Sequence, residues 1–195
     1  GQGIGGTFAQ GRFNWDRSFD AHISVFDEGI YIPAISIGLR DFVGTGWYSS
    51  EYIVGTKSVG KFELSAGLGF GRLAGKNSFS NPLRLISSRF ENRVDNNVAL
   101  GGKLGFNWFT GDTAPFYGAI YRPNDKITFL AEYTSDEMAI ENRFYLDVDS
   151  QWNYGASYRL NEYVSLSAQY LHGTQASLTA HVTFNPGRPP LDKNK

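Results

Sequence analysis

The chain has 195 residues, no cysteine and a formal net charge of −1. This composition excludes disulfides and thiol chemistry, and it indicates no nucleic-acid partner. Glycine is abundant, with 23 residues, aromatic residues make up 15% of the chain, and no run of about eighteen apolar residues is present for a transmembrane helix.

Short turn signals divide the chain into about a dozen candidate strands, most of them about ten residues long. In chain order they lie near residues 3–13, 18–26, 31–41, 48–58, 61–72, 97–110, 115–122, 126–134, 139–149, 151–160, 163–172 and 176–185. Apolar side chains alternate with small or polar ones along most of these segments, which is the period of a strand rather than of a helix. Soluble strands usually have about five or six residues, whereas a tilted strand needs about ten to cross an outer membrane.

The alternation is clearest in residues 61–72, KFELSAGLGFGR. One face of this strand would carry Phe62, Leu64, Ala66, Leu68 and Phe70, and the other face an acid, a hydroxyl and three glycines. The second face cannot form the packed layer of a soluble β-sandwich, but it suits a water-filled lumen with lipid on the opposite side. We therefore predict an all-β fold, an antiparallel transmembrane β-barrel of about 12 strands (about 10 to 14) over residues 1–185. Residues 186–195 are predicted to be a proline-rich exit linker.

A specific block of motifs lies between residues 33 and 73. Segment 33–57, PAISIGLRDFVGTGWYSSEYIVGTK, contains Gly-Leu-Arg-Asp-Phe at 38–42, Gly-Thr-Gly at 44–46 and Ser-Glu-Tyr at 50–52. Residues 67–73 follow, in which an aromatic side chain stands between two glycines and precedes an arginine. Together with them, this block resembles the YjbH-type family of exopolysaccharide-associated outer-membrane proteins. Residues 17–20 and the closing 185–190 are similar to the family too. The resemblance implies a bacterial outer-membrane barrel encoded alongside exopolysaccharide or capsule machinery, here as an excised part of a longer protein.

Charged residues on the non-lipid side of the predicted strands are candidates for the lumen. Four come from three successive strands, and five come from later strands: Arg40, Glu51, Lys57 and Glu63, then Lys103, Glu132, Glu141, Arg143 and Arg159. They could line an open path or contact sugar, but pairing that plugs a small barrel is the favoured interpretation. Asp41 falls on the apolar side, so its strand is expected to end or bulge there.

Residues 74–96 form the longest stretch without alternation, and we predict a loop. Its basic residues, Lys76, Arg84, Arg89 and Arg93, are candidates for contact with an anionic saccharide or with lipopolysaccharide phosphate. An ordinary solvated loop is the alternative.

No enzyme, cofactor or metal site is expected from the sequence. His22 and Ser24 would lie about 6.6 Å apart on one face of a strand, whereas a nucleophile and its base approach within about 3 Å. His172 and His181 lack partners at metal-ligand spacing.

The predicted function is support of exopolysaccharide or capsule secretion or assembly by an outer-membrane barrel. Expected partners are outer-membrane lipid and lipopolysaccharide, together with polysaccharide and export-machinery proteins. The alternatives are a general diffusion porin, a structural barrel without a polysaccharide role, or a soluble sheet protein that binds sugars through Trp and Tyr.

Overall fold

A computed structural model describes residues 18–44, 48–93, 107–139, 141 and 146–183. Nine strands and two short 3-10 helices, Pro82–Leu85 and Ser88–Phe90, are present in these residues. The strands are β1 (Ser18–Phe26), β2 (Ala34–Gly44), β3 (Ser50–Val59), β4 (Phe62–Gly71), β5 (Thr113–Asn124), β6 (Ile127–Tyr133), β7 (Trp152–Arg159), β8 (Val164–Leu171) and β9 (Gln175–Val182). The all-β antiparallel prediction is confirmed. No described helix is long and apolar enough to span a membrane.

Each strand pairs antiparallel with its chain neighbour, so the sheet order is β1 to β9 without a crossover. Nine predicted strands are observed, with ends within three residues of the prediction. A bulge interrupts the β1–β2 pairing around Asp41, which adopts a φ of 46°, as the sequence predicted for that position.

The prediction of a closed barrel of about 12 strands is not met within the described residues. There, β1 and β9 are the two edges of the sheet, and they do not pair with each other. Predicted strand 3–13 lies outside the described residues, and so does most of 97–110, whose last four residues form a turn rather than a strand.

Predicted strand 139–149 is wrong where it can be assessed. Ala139 and Glu141 are helical, and residues 146–149 have no regular structure. The physical reason lies just before them, because an Asp136 carboxylate oxygen accepts the Met138 backbone N–H at 2.8 Å and Met138 adopts a φ of 46°. This local turn competes with an extended backbone.

The strand register separates the side chains into two faces that run across the whole sheet. The apolar face carries, from β1 to β9, Ile23, Ile37, Ile53, Leu64, Tyr121, Phe129, Tyr154, Leu166 and Leu178. The polar face carries Ser24, Ser36, Thr56, Ser65, Gly118, Glu132, Asn153, Ser167 and Thr179.

Large side chains of the apolar face are exposed, unlike those of a packed soluble core. On the apolar face Leu64 is 45% exposed and Tyr154 is 49% exposed, whereas Asn153 on the polar face is only 4% exposed. The buried hydrophobic side chains of the described residues lie near one end of the sheet and are Phe70, Leu73, Ala114 and Tyr133. The middle of the sheet therefore has no packed apolar layer of its own.

The two ends of the sheet differ in their connections. At one end, called the short-turn end, tight turns link the strands, such as the turn at Gly60 with its φ of 60°. At the other end, called the loop end, the long segments between β4 and β5 and between β6 and β7 leave the sheet. The 3-10 helices belong to the first of these segments.

Candidate functional site

The polar face of β2 to β6 lines an open cleft of about 450 Å³. Its polar-face lining includes three charged side chains, Arg40, Glu63 and Glu132, and two aromatic ones, Tyr52 and Phe116. Charged groups and rings from the polar face meet in this cleft. It is the candidate functional site.

Glycines on neighbouring strands make room for the two rings of the cleft. A Cβ added at Gly38 would lie 2.1 Å from Tyr52 Cζ, and one added at Gly67 would lie 2.4 Å from Phe116 Cζ. Each ring therefore extends across the adjacent strand into the space above a glycine. The ring centroids are 6.1 Å apart with an interplanar angle of 85°, so we call Tyr52 and Phe116 the aromatic corner.

His22 fixes the tyrosine of the aromatic corner from a third strand. His22 on β1 and Tyr52 on β3 both pair with Gly38 on β2. The His22 Nδ1 atom lies 3.1 Å from the Tyr52 hydroxyl oxygen, within hydrogen-bond distance. His22 thus contacts a tyrosine, and the structure does not show it contacting Ser24 on the same face.

The charged groups of the cleft differ in their partners. Glu63 accepts a hydrogen bond from Arg122 at 3.1 Å, and Glu132 accepts one from Asn153 at 3.1 Å. Arg40 is exposed and forms no hydrogen bond or ion pair with any described residue. Among the described groups of the cleft, the Arg40 guanidinium is thus without a counter-charge, and the Glu132 carboxylate is held by a neutral amide.

Two of the predicted lumen residues lie on the wrong face for that role. Glu51 pairs with Phe70, and Lys57 pairs with Leu64, so both belong to the apolar face. The prediction is therefore wrong for Glu51 and Lys57. They are tolerated there because they lie at the two ends of β3, where each meets an opposite charge.

The remaining lumen candidates divide into three groups. Arg40, Glu63, Glu132 and Arg159 lie on the polar face, as predicted. Glu141 is helical and lies between β6 and β7 rather than in a strand. Lys103 and Arg143 are outside the described residues.

Glu51 ties the long loop to the sheet. Its side chain is 1% exposed and pairs with Arg93 through two bonds of 2.8 and 3.0 Å. The Phe109 backbone N–H donates a third bond to the same carboxylate at 3.0 Å. Arg93 is therefore engaged in a structural ion pair, whereas the other loop candidates, Lys76, Arg84 and Arg89, are exposed.

Arg72 forms a second tie at the loop end. Its guanidinium lies 2.6 Å from an Asp136 oxygen and 2.8 Å from a Glu141 oxygen, and it stacks 4.7 Å from the centre of the Tyr48 ring. Burial lowers the pKa of Arg72, but its hydrogen bonds to Asp136 and Glu141 outweigh burial and raise the pKa above its ordinary value. The two carboxylates thus hold the β4–β5 and β6–β7 segments together.

A third tie closes the short-turn end. The Glu28 carboxylate accepts bonds from Lys57 Nζ at 2.8 Å and from the Ser58 backbone N–H at 2.9 Å. The hydrogen bond from Lys57 is the main cause that lowers the pKa of Glu28 below its ordinary 4.5. Within the described part of the chain, no group of three or more His, Cys, Asp or Glu side chains could hold a metal ion.

Comparison with known proteins identifies the family. A family model described as "Exopolysaccharide biosynthesis protein YbjH" matches residues 6–195. The chain belongs to the YjbH family. The resemblance found in the sequence motifs is confirmed.

One relative of this YjbH-family chain is "Uncharacterized lipoprotein YjbH" of Escherichia coli (strain K12). The two are 30% identical over 183 residues, which is 92% of this chain and 26% of that protein. The chain thus spans 26% of the length of this relative. No solved structure matches the chain.

Proposed function

We propose that the nine-stranded sheet is part of the wall of a β-barrel in a bacterial outer membrane, where it supports exopolysaccharide or capsule secretion or assembly. The role we propose is passage or assembly of the polymer without catalysis. Outer-membrane lipid and lipopolysaccharide contact the outside, and polysaccharide and export-machinery proteins are the other partners. The observation that carries this proposal is the row of exposed large apolar side chains along one face of the sheet.

Lipid contact accounts for the apolar face. Large side chains such as Phe62, Phe129 and Leu178, which are 47%, 47% and 81% exposed, would otherwise face water. Removing such a side chain from water is worth about 1.5–3 kcal/mol, so a lipid environment favours this face strongly. The polar face, with its cleft, then faces a wet interior.

Strand directions limit how such a barrel can close. Because nine antiparallel strands alternate in direction, β1 and β9 run the same way and would pair parallel if joined directly. An all-antiparallel ring needs an odd number of further strands between them, which gives the even total typical of bacterial barrels. The total of about 12 strands stays a prediction.

The lengths of the connections between strands indicate how the proposed barrel is oriented in the membrane. Outer-membrane barrels have short periplasmic turns and longer extracellular loops. The loop end, with the ties of Arg72 and Arg93, would therefore face outward. The family description links the chain to exopolysaccharide, and the name of the Escherichia coli relative, a lipoprotein, supports membrane association.

A matched pair of variants tests the lipid assignment. Ala168 on the apolar face and Gln169 on the polar face are neighbours in the middle of β8, and both are exposed. In lipid, Ala168→Arg should cost about 2–4 kcal/mol of folding free energy, because it places a charge near the bilayer midplane, whereas Gln169→Arg should cost little. A soluble surface would tolerate both alike.

The experiment refolds the denatured chain in detergent micelles, in lipid vesicles and in plain buffer. Circular dichroism measures strand content, and gel mobility with and without boiling reports a closed barrel. We expect strand signal and a heat-modifiable band only with detergent or lipid, and a denaturant midpoint lowered by Ala168→Arg alone. A cooperative β fold in plain buffer, indifferent to both variants, would contradict the proposal.

A further inference from the structure

We infer that the aromatic corner and Arg40 form a binding site for a sugar unit that carries an acidic group, such as a uronic acid. This inference rests on the proposed polysaccharide path and names the class of polymer that the path accepts. Its parts are two rings with a fixed relative orientation, a guanidinium beside them and the open cleft that contains all three.

The positions of the two rings are exceptional within the sheet. In strands β3 to β8, all Phe, Tyr and Trp side chains except these two lie on the apolar face, where lipid contact explains their position. Tyr52 and Phe116 lie on the polar face and border a wet cleft of about 450 Å³. Lipid contact cannot explain them, whereas a ligand with apolar surface of its own accounts for their place beside the cleft.

A pyranose ring provides that surface. Its axial C–H bonds form a weakly positive apolar patch that packs on the negative face of an aromatic ring. The perpendicular arrangement of Tyr52 and Phe116 offers one ring face and an adjoining wall. Because His22 holds the tyrosine hydroxyl at 3.1 Å and glycines make room for the rings, little ordering remains to be done on binding.

Arg40 gives the site its charge preference. It lies two residues along β2 from Gly38, the partner of Tyr52, and this diagonal position is about 7 Å from Tyr52 between Cβ atoms. The Glu63 carboxylate has a cationic donor in Arg122, and the Glu132 carboxylate accepts from the neutral Asn153 amide. Arg40 has no partner among the described residues. A guanidinium binds a carboxylate through two parallel hydrogen bonds, so an acidic sugar is preferred to a neutral one.

The test measures binding of two trisaccharides of equal length to the whole chain folded in detergent. Trigalacturonate is the acidic probe, maltotriose is the neutral probe, and isothermal titration calorimetry gives the dissociation constants. Wild type should bind trigalacturonate more tightly. Tyr52→Ala should weaken binding of both probes about three- to tenfold, because it removes a ring face.

Charge variants separate the two parts of the site. Arg40→Gln should weaken trigalacturonate binding about tenfold and leave maltotriose unchanged, and Arg40→Lys should restore part of the loss. Tyr158→Ala on the apolar face and Arg159→Gln at the short-turn end are the matched controls, and both should bind as wild type does.

The outcomes distinguish this inference from the proposed barrel. A chain with a heat-modifiable band that binds neither probe, or binds both equally, overturns the inference and leaves the barrel in place. Losses of equal size in Tyr158→Ala or Arg159→Gln also overturn it. A chain that folds cooperatively in plain buffer, without detergent or lipid, contradicts the proposed function itself.

Discussion

Replacing Arg93 with leucine should release the long loop from the sheet. In the native chain Arg93 binds Glu51 through two bonds of 2.8 and 3.0 Å, and the side chains of the pair are 24% and 1% exposed. Leucine keeps much of the apolar stem but leaves a buried carboxylate without its counter-charge. Breaking a fully buried pair costs about 3–5 kcal/mol.

The expected magnitude is smaller than for a fully buried pair. Arg93 is partly exposed, and the Phe109 N–H still donates to the Glu51 carboxylate at 3.0 Å. We therefore expect the free energy that holds the loop on the sheet to fall by about 2–3 kcal/mol, and local opening of the loop to be the main consequence. The double variant Glu51→Leu with Arg93→Leu should recover most of it, because two apolar side chains can replace an ion pair at little cost.

Hydrogen exchange provides the assay. The backbone amides of Ile86 and Gly111 donate to carbonyls of the loop, those of Leu83 and Phe90. Their exchange rates report whether the loop is held against the sheet. The exposed Arg84→Leu, in the same loop, is the matched control. If Arg93→Leu speeds exchange no more than Arg84→Leu does, or if the double variant is as open as the single one, the reasoning is refuted.

Two further variants or conditions test smaller parts of the structure. Gly38→Ala should displace the Tyr52 ring at a cost of about 1–3 kcal/mol, because the new Cβ would lie 2.1 Å from Tyr52 Cζ. Gly155→Ala, whose new Cβ would meet nothing closer than 3.7 Å, is its control, and equal denaturant midpoints for the two variants would contradict this account. The short-turn end should loosen in acid, because the hydrogen bond from Lys57 lowers the pKa of Glu28 from 4.5. The stabilisation by the Glu28–Lys57 pair is complete at pH values above the unfolded-state pKa of Glu28, and it is lost as the pH falls through the lower folded-state pKa. An NMR titration that gives Glu28 a midpoint at or above 4.5 would contradict this prediction.

Alternation in the sequence was sufficient to predict the strands. A period of two depends only on which side chains prefer lipid or core to water, and it persists through most of the described strands, with β3 the exception. Segment 139–149 also alternates in part, but its described residues, which follow the local turn at Asp136, do not form a strand. A short-range hydrogen bond of this kind competes with strand formation in a way that hydrophobic pattern does not report.

The sequence does not show which face of a strand is which where the odd-numbered and the even-numbered side chains both include large apolar residues. In β3 Ile53 and Val54 are adjacent, so the sequence does not show which side faces the cleft, and Glu51 and Lys57 were assigned to the wrong one. Their partners, Arg93 and Glu28, are 42 and 29 residues away. Such pairs become visible only when the register is known.

The aromatic corner could not be found for a related reason. Tyr52 breaks the rule that rings lie on the apolar face, but only the pairing with Gly38 shows that its ring has a defined place. The pattern that identifies such a ring is an aromatic residue on the polar face paired with a glycine on the neighbouring strand. This pattern can be recognised only after the two strands have been aligned. The loop has the same difficulty, because Asn81 organises it with bonds to Leu83, Phe90 and Phe109.

The ties at the loop end change where selectivity for a polymer should reside. Of the four basic loop residues predicted to contact saccharide, Arg93 is occupied by Glu51, whereas Lys76, Arg84 and Arg89 are exposed on the loop surface. Arg72, next to the loop, is occupied by two acids. Arg93 and Arg72 therefore hold the loop end in shape. Arg40 lies inside the cleft beside ordered rings, where a guanidinium can act with a stacking surface. Discrimination between acidic and neutral sugars should therefore depend on the cleft more than on the loop, and neutralising Arg40 should alter it more than neutralising Arg84.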